Sequence, residues 1–475
     1  MRLHPGAEHR RLRGDARLGQ ERTQARVGRG AMKGLRVVVP ALLALSACSH
    51  APERRAISPS QQQLVARMRA AGATDLDANG RADGGMSVAG KLDGRAFGIA
   101  VPARWNGEVV LFANGYSIPG TPVSVPADPI AKEPSGGFLT AAYQENFAVG
   151  QSAYDKPAMA VKSGVANTLR LRGWFAKLGA RRFYLGGASM GGNIVMALIE
   201  KQPDAFAGAM TACGVTGDWQ SEIGTLVDLR ATYDYFTRGT AYELPGDHDI
   251  AANALSPVPP TGLGFTRPAW LFMQIKRMSA PIAKLFKAAR ANPNGPEAKI
   301  VARIASVAGV DADPAVFLFP IMTAMVGMDD MRASFGGRVY SNRDKVYHSD
   351  LLSPAENDAL NRGIQRMDAD PAAQAFARDW YRSTGRFQTP LVAVHNRHDG
   401  LVFAGQAVLL KQRARAQHNE AHLFQLWAPS QQKDIPTTGL KGWAHCGFTP
   451  RQAAVLWRTL HHWVETGKKP TPGRY

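Results

Sequence analysis

Residues 185–193 read LGGASMGGN, with glycines at 186, 187, 191 and 192 crowded around one serine. An apolar run, RFYLGG, precedes Ser189, and a helix-periodic stretch follows it from 190 to 202. The pattern predicts a strand that turns sharply into a helix, with Ser189 at the turn. Such a turn strains the serine backbone and leaves no room for side chains two residues to either side. Gly187 and Gly191 fit that requirement, as a nucleophile elbow. The hydroxyl then stands clear at the carboxyl end of a sheet, beside the free N–H groups that open a helix. This is nucleophile chemistry, and a serine hydroxyl needs a base to take its proton.

Two later segments supply the partners. The apolar run PLVAVHN (390–396) leads into RHDGLV, which places Asp399 in the loop beyond a strand. The run HLFQLWA (422–428) is the last of its kind; GWAHCGF follows it and precedes a helical pattern at 449–465, so His445 falls in a loop. In that order Asp399 orients His445, and His445 takes the Ser189 proton. His395 belongs to a strand, and His398 reads as a loop residue. The Met190 N–H is one candidate donor to an oxyanion. EVVLFA (108–113) ends in Asn114-Gly115-Tyr116, which offers the Tyr116 N–H as the second; a plain Asn-Gly turn is the other reading. GDHDI (246–250) gathers Asp and His, but no further ligand spacing accompanies it, so no metal is expected. No cofactor is expected either.

The segments LFANGYSIPG, LGGASMGGN, TPLVAVHNRHDGLV and GWAHCGFTP resemble the α/β-hydrolase superfamily over about residues 95–214 and 386–475. The resemblance implies an α/β fold, a doubly wound and mostly parallel sheet with an inserted helical cap. It also implies a serine hydrolase working through Ser189, Asp399 and His445. Asn114 stands where that family usually has His. The stretch NDALNRGIQRMDADPAAQAF (357–376) is similar to one found in bacterial secreted hydrolases. The His445-Cys446 pair resembles tannase/feruloyl-esterase-like enzymes, in which that Cys bonds to one just before the serine. Ala188 occupies that place here, so the resemblance leaves Cys213 as partner. A Cys213–Cys446 disulfide and two buried free thiols both stay open.

The elements that would carry these residues are short apolar runs at 96–102, 108–113, 146–152, 181–187, 206–212, 390–396 and 422–428. Several are continuous rather than alternating, as strands buried on both faces are. Helical patterns lie between them, which argues for an α/β sheet. Residues 215–385 break the alternation with helices joined by Pro/Gly loops, and a structureless loop of that length is not expected inside a domain. This segment reads as the cap. Its Trp270, Phe272, Met322 and Met325 either fill the cap's own core or face a substrate pocket.

The chain has 475 residues, is 45% hydrophobic and carries a formal charge of +19, which is enough length for a large core. Residues 1–31 hold eight Arg against Glu8, Asp15 and Glu21 and show no hydrophobic period; they read as an upstream extension that is not native. Met32 opens MKGLRVVVPALLALSAC, a basic start and a short apolar run, so 32–47 reads as a signal peptide. LSAC resembles a bacterial lipobox, which implies lipid attachment at Cys48 and a periplasmic or outer-membrane location. Residues 48–94 read as linker and one helix, 95–214 and 386–475 as the two halves of the core. No basic stripe with interleaved aromatics is apparent, so no nucleic acid partner is expected. The expected partner is a small-molecule ester or peptide substrate, with the membrane met by the lipid anchor only. Esters are the favoured substrate. The alternatives are a peptidase of the prolyl-oligopeptidase or tripeptidyl-aminopeptidase kind and a non-catalytic envelope lipoprotein.

Overall fold

A computed structural model describes residues 55–471. The expected signal segment and Cys48 lie outside the described residues. Helix α1 (Pro59–Ala70) leads into strands β1 (Thr74–Gly80), β2 (Met86–Leu92), β3 (Arg95–Val101) and β4 (Glu108–Ala113). Then come α2 (Phe138–Gln144), β5 (Ala148–Ser152), α3 (Val161–Lys177), β6 (Arg182–Ala188), α4 (Met190–Lys201) and β7 (Gly208–Ala212). Six helices follow without a strand: α5 (Trp219–Thr237), α6 (Arg267–Ala291), α7 (Pro296–Ala308), α8 (Pro314–Phe335), α9 (Pro354–Gly363) and α10 (Pro371–Trp380). The chain then closes the sheet with β8 (Leu391–Asn396), α11 (Gly405–Ala416), β9 (Leu423–Ala428), the hairpin β10 (Gln432–Ile435) and β11 (Leu440–Trp443), and α12 (Pro450–Thr466).

The large sheet has nine strands in the order β1-β2-β3-β5-β4-β6-β7-β8-β9. From β5 through β9 every pairing is parallel, while β1, β2 and β3 join by antiparallel pairing. The five residues of β7 and the six of β8 are all buried, which explains why those strands read as continuous apolar runs. Helices cover both faces. On one, α12 seats Trp457, fully buried, against Phe138, Phe147 and Tyr184. Its indole N–H donates to Glu145 at 2.7 Å. This anchor fixes the helix that follows the His445 loop.

Two expectations need correction. Residues 48–94 do not hold a linker and one helix alone: β1 and β2 lie there and extend the sheet. β1 is TDLDANG, a polar edge strand with an irregular register between Thr74 and Asp77, so it carries none of the apolar signal of a buried strand. The run before His445 is likewise not the last strand, because β10 and β11 intervene.

The helices α5 to α10 lie between β7 and β8, as a cap. One side shares its core with the sheet: Ile223, Met328, Met331 and Phe335 pack in the same cluster as Val195 and Leu185. The other side has a core of its own around Ile282, Phe286, Phe317 and Met325, closed by Ile435 and Leu440 of the hairpin. Among the described residues one helix, α8, is long and apolar enough to cross a membrane, and most of it is buried inside the cap.

Candidate active site

Ser189 sits between β6 and α4 with φ 57° and ψ −126°, a left-handed backbone that side chains other than Gly rarely adopt. Its neighbours permit this. A Cβ at Gly187 would overlap the Gly191 carbonyl, and one at Gly191 would overlap the Ala113 carbonyl at the end of β4. The chain beyond β4 passes directly over the serine: a Cβ at Gly115 would stand 3.3 Å from Ser189 Cβ and 3.8 Å from Oγ. The Tyr154 hydroxyl holds that segment by donating to the Asn114 carbonyl at 3.1 Å. Neither the Met190 nor the Tyr116 N–H donates to another group among the described residues, so both remain free for an incoming oxyanion.

Asp399 follows β8 and is 2% exposed. Its Oδ1 accepts from His445 Nδ1 at 2.7 Å and from the N–H groups of Leu401 and Val402 at 2.9 and 3.0 Å. Its Oδ2 accepts from the Cys446 N–H at 3.0 Å. Burial alone would raise its pKa. The charge and hydrogen bond of His445, with the Cys446 N–H, outweigh burial and hold it below the ordinary aspartate value. The carboxylate therefore fixes the imidazole with Nδ1–H toward Asp399 and leaves Nε2 as the basic nitrogen. Nε2 lies 3.6 Å from Cys446 Sγ, and Ser189 Oγ makes no hydrogen bond among the described residues. In serine–imidazole pairs of this kind the hydrogen bond is often long without a ligand and tightens only in the complex.

Cys213 and Cys446 form a disulfide. Cys213 directly follows β7 with φ 43°, and Cys446 follows His445 with φ 55°. The bond ties the His445 loop to the end of β7, an interior strand of the sheet. Among the described residues, Cys213, His445 and Cys446 are the one group of ligand atoms close enough to share an ion, and both sulfurs are engaged with each other. GDHDI forms no such group: Asp247 and Asp249 accept from the N–H groups two residues on, and His248 faces Glu243 at 3.6 Å.

The two histidines just before Asp399 are occupied. His395 is buried with Nε2 on the Val402 carbonyl at 2.9 Å, and burial lowers its pKa. His398 bonds Asp311 at 2.6 Å and stacks on Trp443.

Three features were not foreseen. Glu222, in the first turn of α5, is buried and accepts from Gln406 Nε2 at 3.2 Å. Burial first, then the charge of Asp399, pushes it up to about 8. No motif marks it. Second, α8 is drawn across the site. At its start Asp313 Oδ1 accepts from the Trp443 N–H at 3.0 Å, and Phe319 Cδ2 would stand 3.2 Å from a Cβ on Gly400, beside Asp399. Near its end Asp330 takes Lys156 Nζ at 2.8 Å and the Met159 N–H at 2.9 Å. Between these anchors Phe319, Met322 and Thr323 share one helix face and are the half-buried residues of an otherwise buried stretch. Phe319 and Met322 also pack against the cap's own core. Third, the Tyr116 hydroxyl is buried without a partner against Gly327 of that helix; a Cβ there would meet it at 2.7 Å. Of the cap residues named from sequence, Trp270 and Met325 are buried, Met322 is half-buried against the cap core and Phe272 is exposed.

No family model matches the chain, and no curated protein matches it by sequence. Among solved structures it is similar to feruloyl esterase B from Aspergillus oryzae, at 12% identity over 81% of this chain and 82% of that one, with TM-score 0.35. It is similar to the rice cell wall degrading esterase LipA from Xanthomonas oryzae, in a mutant form, at 12% identity over 86% and 97%, with TM-score 0.40. It is also similar to 2-hydroxy-6-oxo-6-phenylhexa-2,4-dienoate hydrolase from Rhodococcus, at 15% identity over 78% and 92%, with TM-score 0.30. Likeness of this strength carries no argument about substrate. The α/β-hydrolase fold is read from the strand order and connections themselves, with the cap inserted between β7 and β8.

Proposed function

We propose that the chain is a serine hydrolase of carboxylic esters, with Ser189 as nucleophile, His445 as base and Asp399 as its orienting acid. One observation carries the reading: a left-handed Ser189 and an Asp399–His445 pair at 2.7 Å stand at the ends of strands β6 and β8 in one parallel sheet. In the reaction His445 Nε2 takes the hydroxyl proton as Oγ attacks the ester carbonyl. The negative charge moves to the carbonyl oxygen, which the N–H groups of Met190 and Tyr116 receive. Asp399 stabilises the imidazolium without accepting its proton. His445 then protonates the leaving alcohol, the acyl group stays on Ser189, and water repeats the sequence to release the acid. The half-buried face of α8 with Phe319 and Met322, read within this proposal as a roof over Ser189, favours an acyl or aryl ester. The leader and Cys48 support a cell-envelope location within this proposal.

The test compares the chain with Ser189→Ala on p-nitrophenyl esters of increasing acyl length and on aminoacyl p-nitroanilides. Ester turnover should fall at least about 10⁴-fold in the variant. Faster anilide than ester cleavage would reassign the chain to peptidases. Equal background rates in both, with no fluorophosphonate labelling of Ser189, would leave a non-catalytic scaffold.

A further inference from the structure

Between Asp249 and Glu297 the sequence contains no Asp or Glu, and it contains six cations: Arg267, Lys276, Arg277, Lys284, Lys287 and Arg290. All six lie on α6 and all are exposed. None pairs with a carboxylate among the described residues. Arg277 donates to Gln274, Arg290 to the Lys441 carbonyl, and Lys284 lies over the Tyr242 ring. At 100° per residue, the last five of these cations and Phe272 fall within an arc of about 140°. The opposite arc, through Met278, Ile282 and Leu285, is buried in the cap. Neighbouring elements do not neutralise the stripe. The β10–β11 hairpin sets Lys433 and Lys441 against Asp434, and Glu297 at the start of α7 accepts from the Tyr242 hydroxyl.

The amino end of this stripe is apolar and open to solvent. Residues 260–269 are exposed throughout, and they include Leu263 and Phe265 at 56% and 46% exposure; Phe272, one turn into α6, reaches 57%. Val258 and Val123 are exposed beside them, and Gly120 brings their two loops together, since a Cβ there would stand 3.3 Å from Val258 Cγ2. A protein gains nothing by holding two Phe and a Leu in water beside a row of unpaired cations. Both features fit one partner: a surface that is anionic at its face and apolar just beneath.

We infer that α6 and the loop before it form a docking surface for an anionic lipid bilayer. The cations meet lipid phosphates, while Leu263, Phe265 and Phe272 enter the region between headgroups and acyl chains. This is a membrane contact separate from any lipid at Cys48, and it departs from the expectation that such an anchor is the only one. The loop at 120–123 runs on from Tyr116, so docking turns the segment over Ser189 toward the membrane.

The full chain carrying Cys48→Ser, which cannot be lipidated, tests this by vesicle flotation. Mixed phosphatidylcholine–phosphatidylglycerol vesicles are compared with pure phosphatidylcholine ones. Selective binding to the anionic vesicles is expected. Lys276→Glu/Lys284→Glu/Lys287→Glu should weaken it about 10²-fold at low salt, and Phe265→Ser/Phe272→Ser about tenfold, with far-UV circular dichroism unchanged in both. Equal binding to the two vesicle types, or no loss in the triple variant, overturns the proposal. So does vesicle binding that is indifferent to the Phe pair together with tighter binding to heparin, which would assign the stripe to a soluble polyanion. Each arm reads membrane binding alone, so the result stands whether or not Ser189 is catalytic.

Discussion

Two buried aspartates show how differently the sheet and the cap are made. Asp399, at the end of β8, receives four hydrogen bonds and is held below the ordinary carboxylate range. Asp234, in α5, has no hydrogen bond on either oxygen; Arg230 Nε, itself without one, stands 3.9 Å from it. Burial, only partly offset by Arg230, pushes Asp234 up to about 6. The loop around Asp399 is built to hold a charge in one place. The cap tolerates a charge it does not satisfy. A site that must fix an imidazole needs the first arrangement; a lid that shapes a pocket can manage with the second.

The contrast breaks most sharply at Asp399. Asp399→Asn should keep the fold near neutral pH and lower kcat about 10⁴-fold, because Asn cannot hold Nδ1–H in place or balance the imidazolium. Steady-state kinetics with a circular dichroism control checks this. A smaller loss is expected where cap and sheet touch. Gly327→Ala forces the Tyr116 hydroxyl away from α8 and should lower kcat/KM about tenfold, with a destabilisation of about 1–3 kcal/mol. Tyr116→Phe in the same chain removes the clashing atom and should restore most of both. A rescue ties the roof helix to the oxyanion segment; no rescue separates them.

The smallest effect on activity belongs to Asp234→Asn, with turnover unchanged within about twofold. Its stability carries the information. A carboxyl whose folded pKa is raised favours the native state below its unfolded pKa and loses that advantage as pH rises through the folded value. Asp234 therefore costs stability progressively between pH 3.8 and about 6. The variant should match the parent near the low end of that window and exceed it by about 1–2 kcal/mol above the high end, read from urea unfolding at several pH values. Asp399 has the opposite sign. Its pKa is lowered, so its contribution is complete above pH 3.8 and disappears on acidification.

The same division governs what the sequence reveals. Strands β4 through β8 stand out because burial on both faces demands apolar runs, and the elbow stands out because only glycine fits two residues to either side of Ser189. Asp399 and His445 follow from where those strands end. β1 escapes notice because an edge strand such as TDLDANG has no need of apolar alternation, and β2, MSVAGKL, is buried but its apolar run is broken by Ser87, Gly90 and Lys91. The β10–β11 hairpin is four residues a side, too short for a period. The helices of the cap are visible, but not which face of α8 is left half-buried. Phe319, Met322 and Thr323 look like any other helix residues until Asp313 and Asp330 are seen anchoring the two ends. Glu222 and the Asp234–Arg230 pair have no motif; their properties come first from burial and then from the charges around them. The cationic stripe could have been counted in the sequence, yet its meaning depends on the opposite arc of α6 facing inward.

The disulfide has a consequence for the order in which the molecule is completed. Cys213 and Cys446 are 233 residues apart, so the cap, β8 and β9 all lie inside one covalent ring. A chain emerging from its amino end delivers β1 to β7, with Ser189 among them, before any of that ring exists. Asp399 arrives much later, and His445 enters one residue ahead of the cysteine that shuts the ring. A nascent chain thus presents Ser189 with no imidazole beside it. Closing the ring and seating the imidazole are nearly the same event, so a compartment that cannot oxidise thiols would release a finished sheet with an untethered His445 loop.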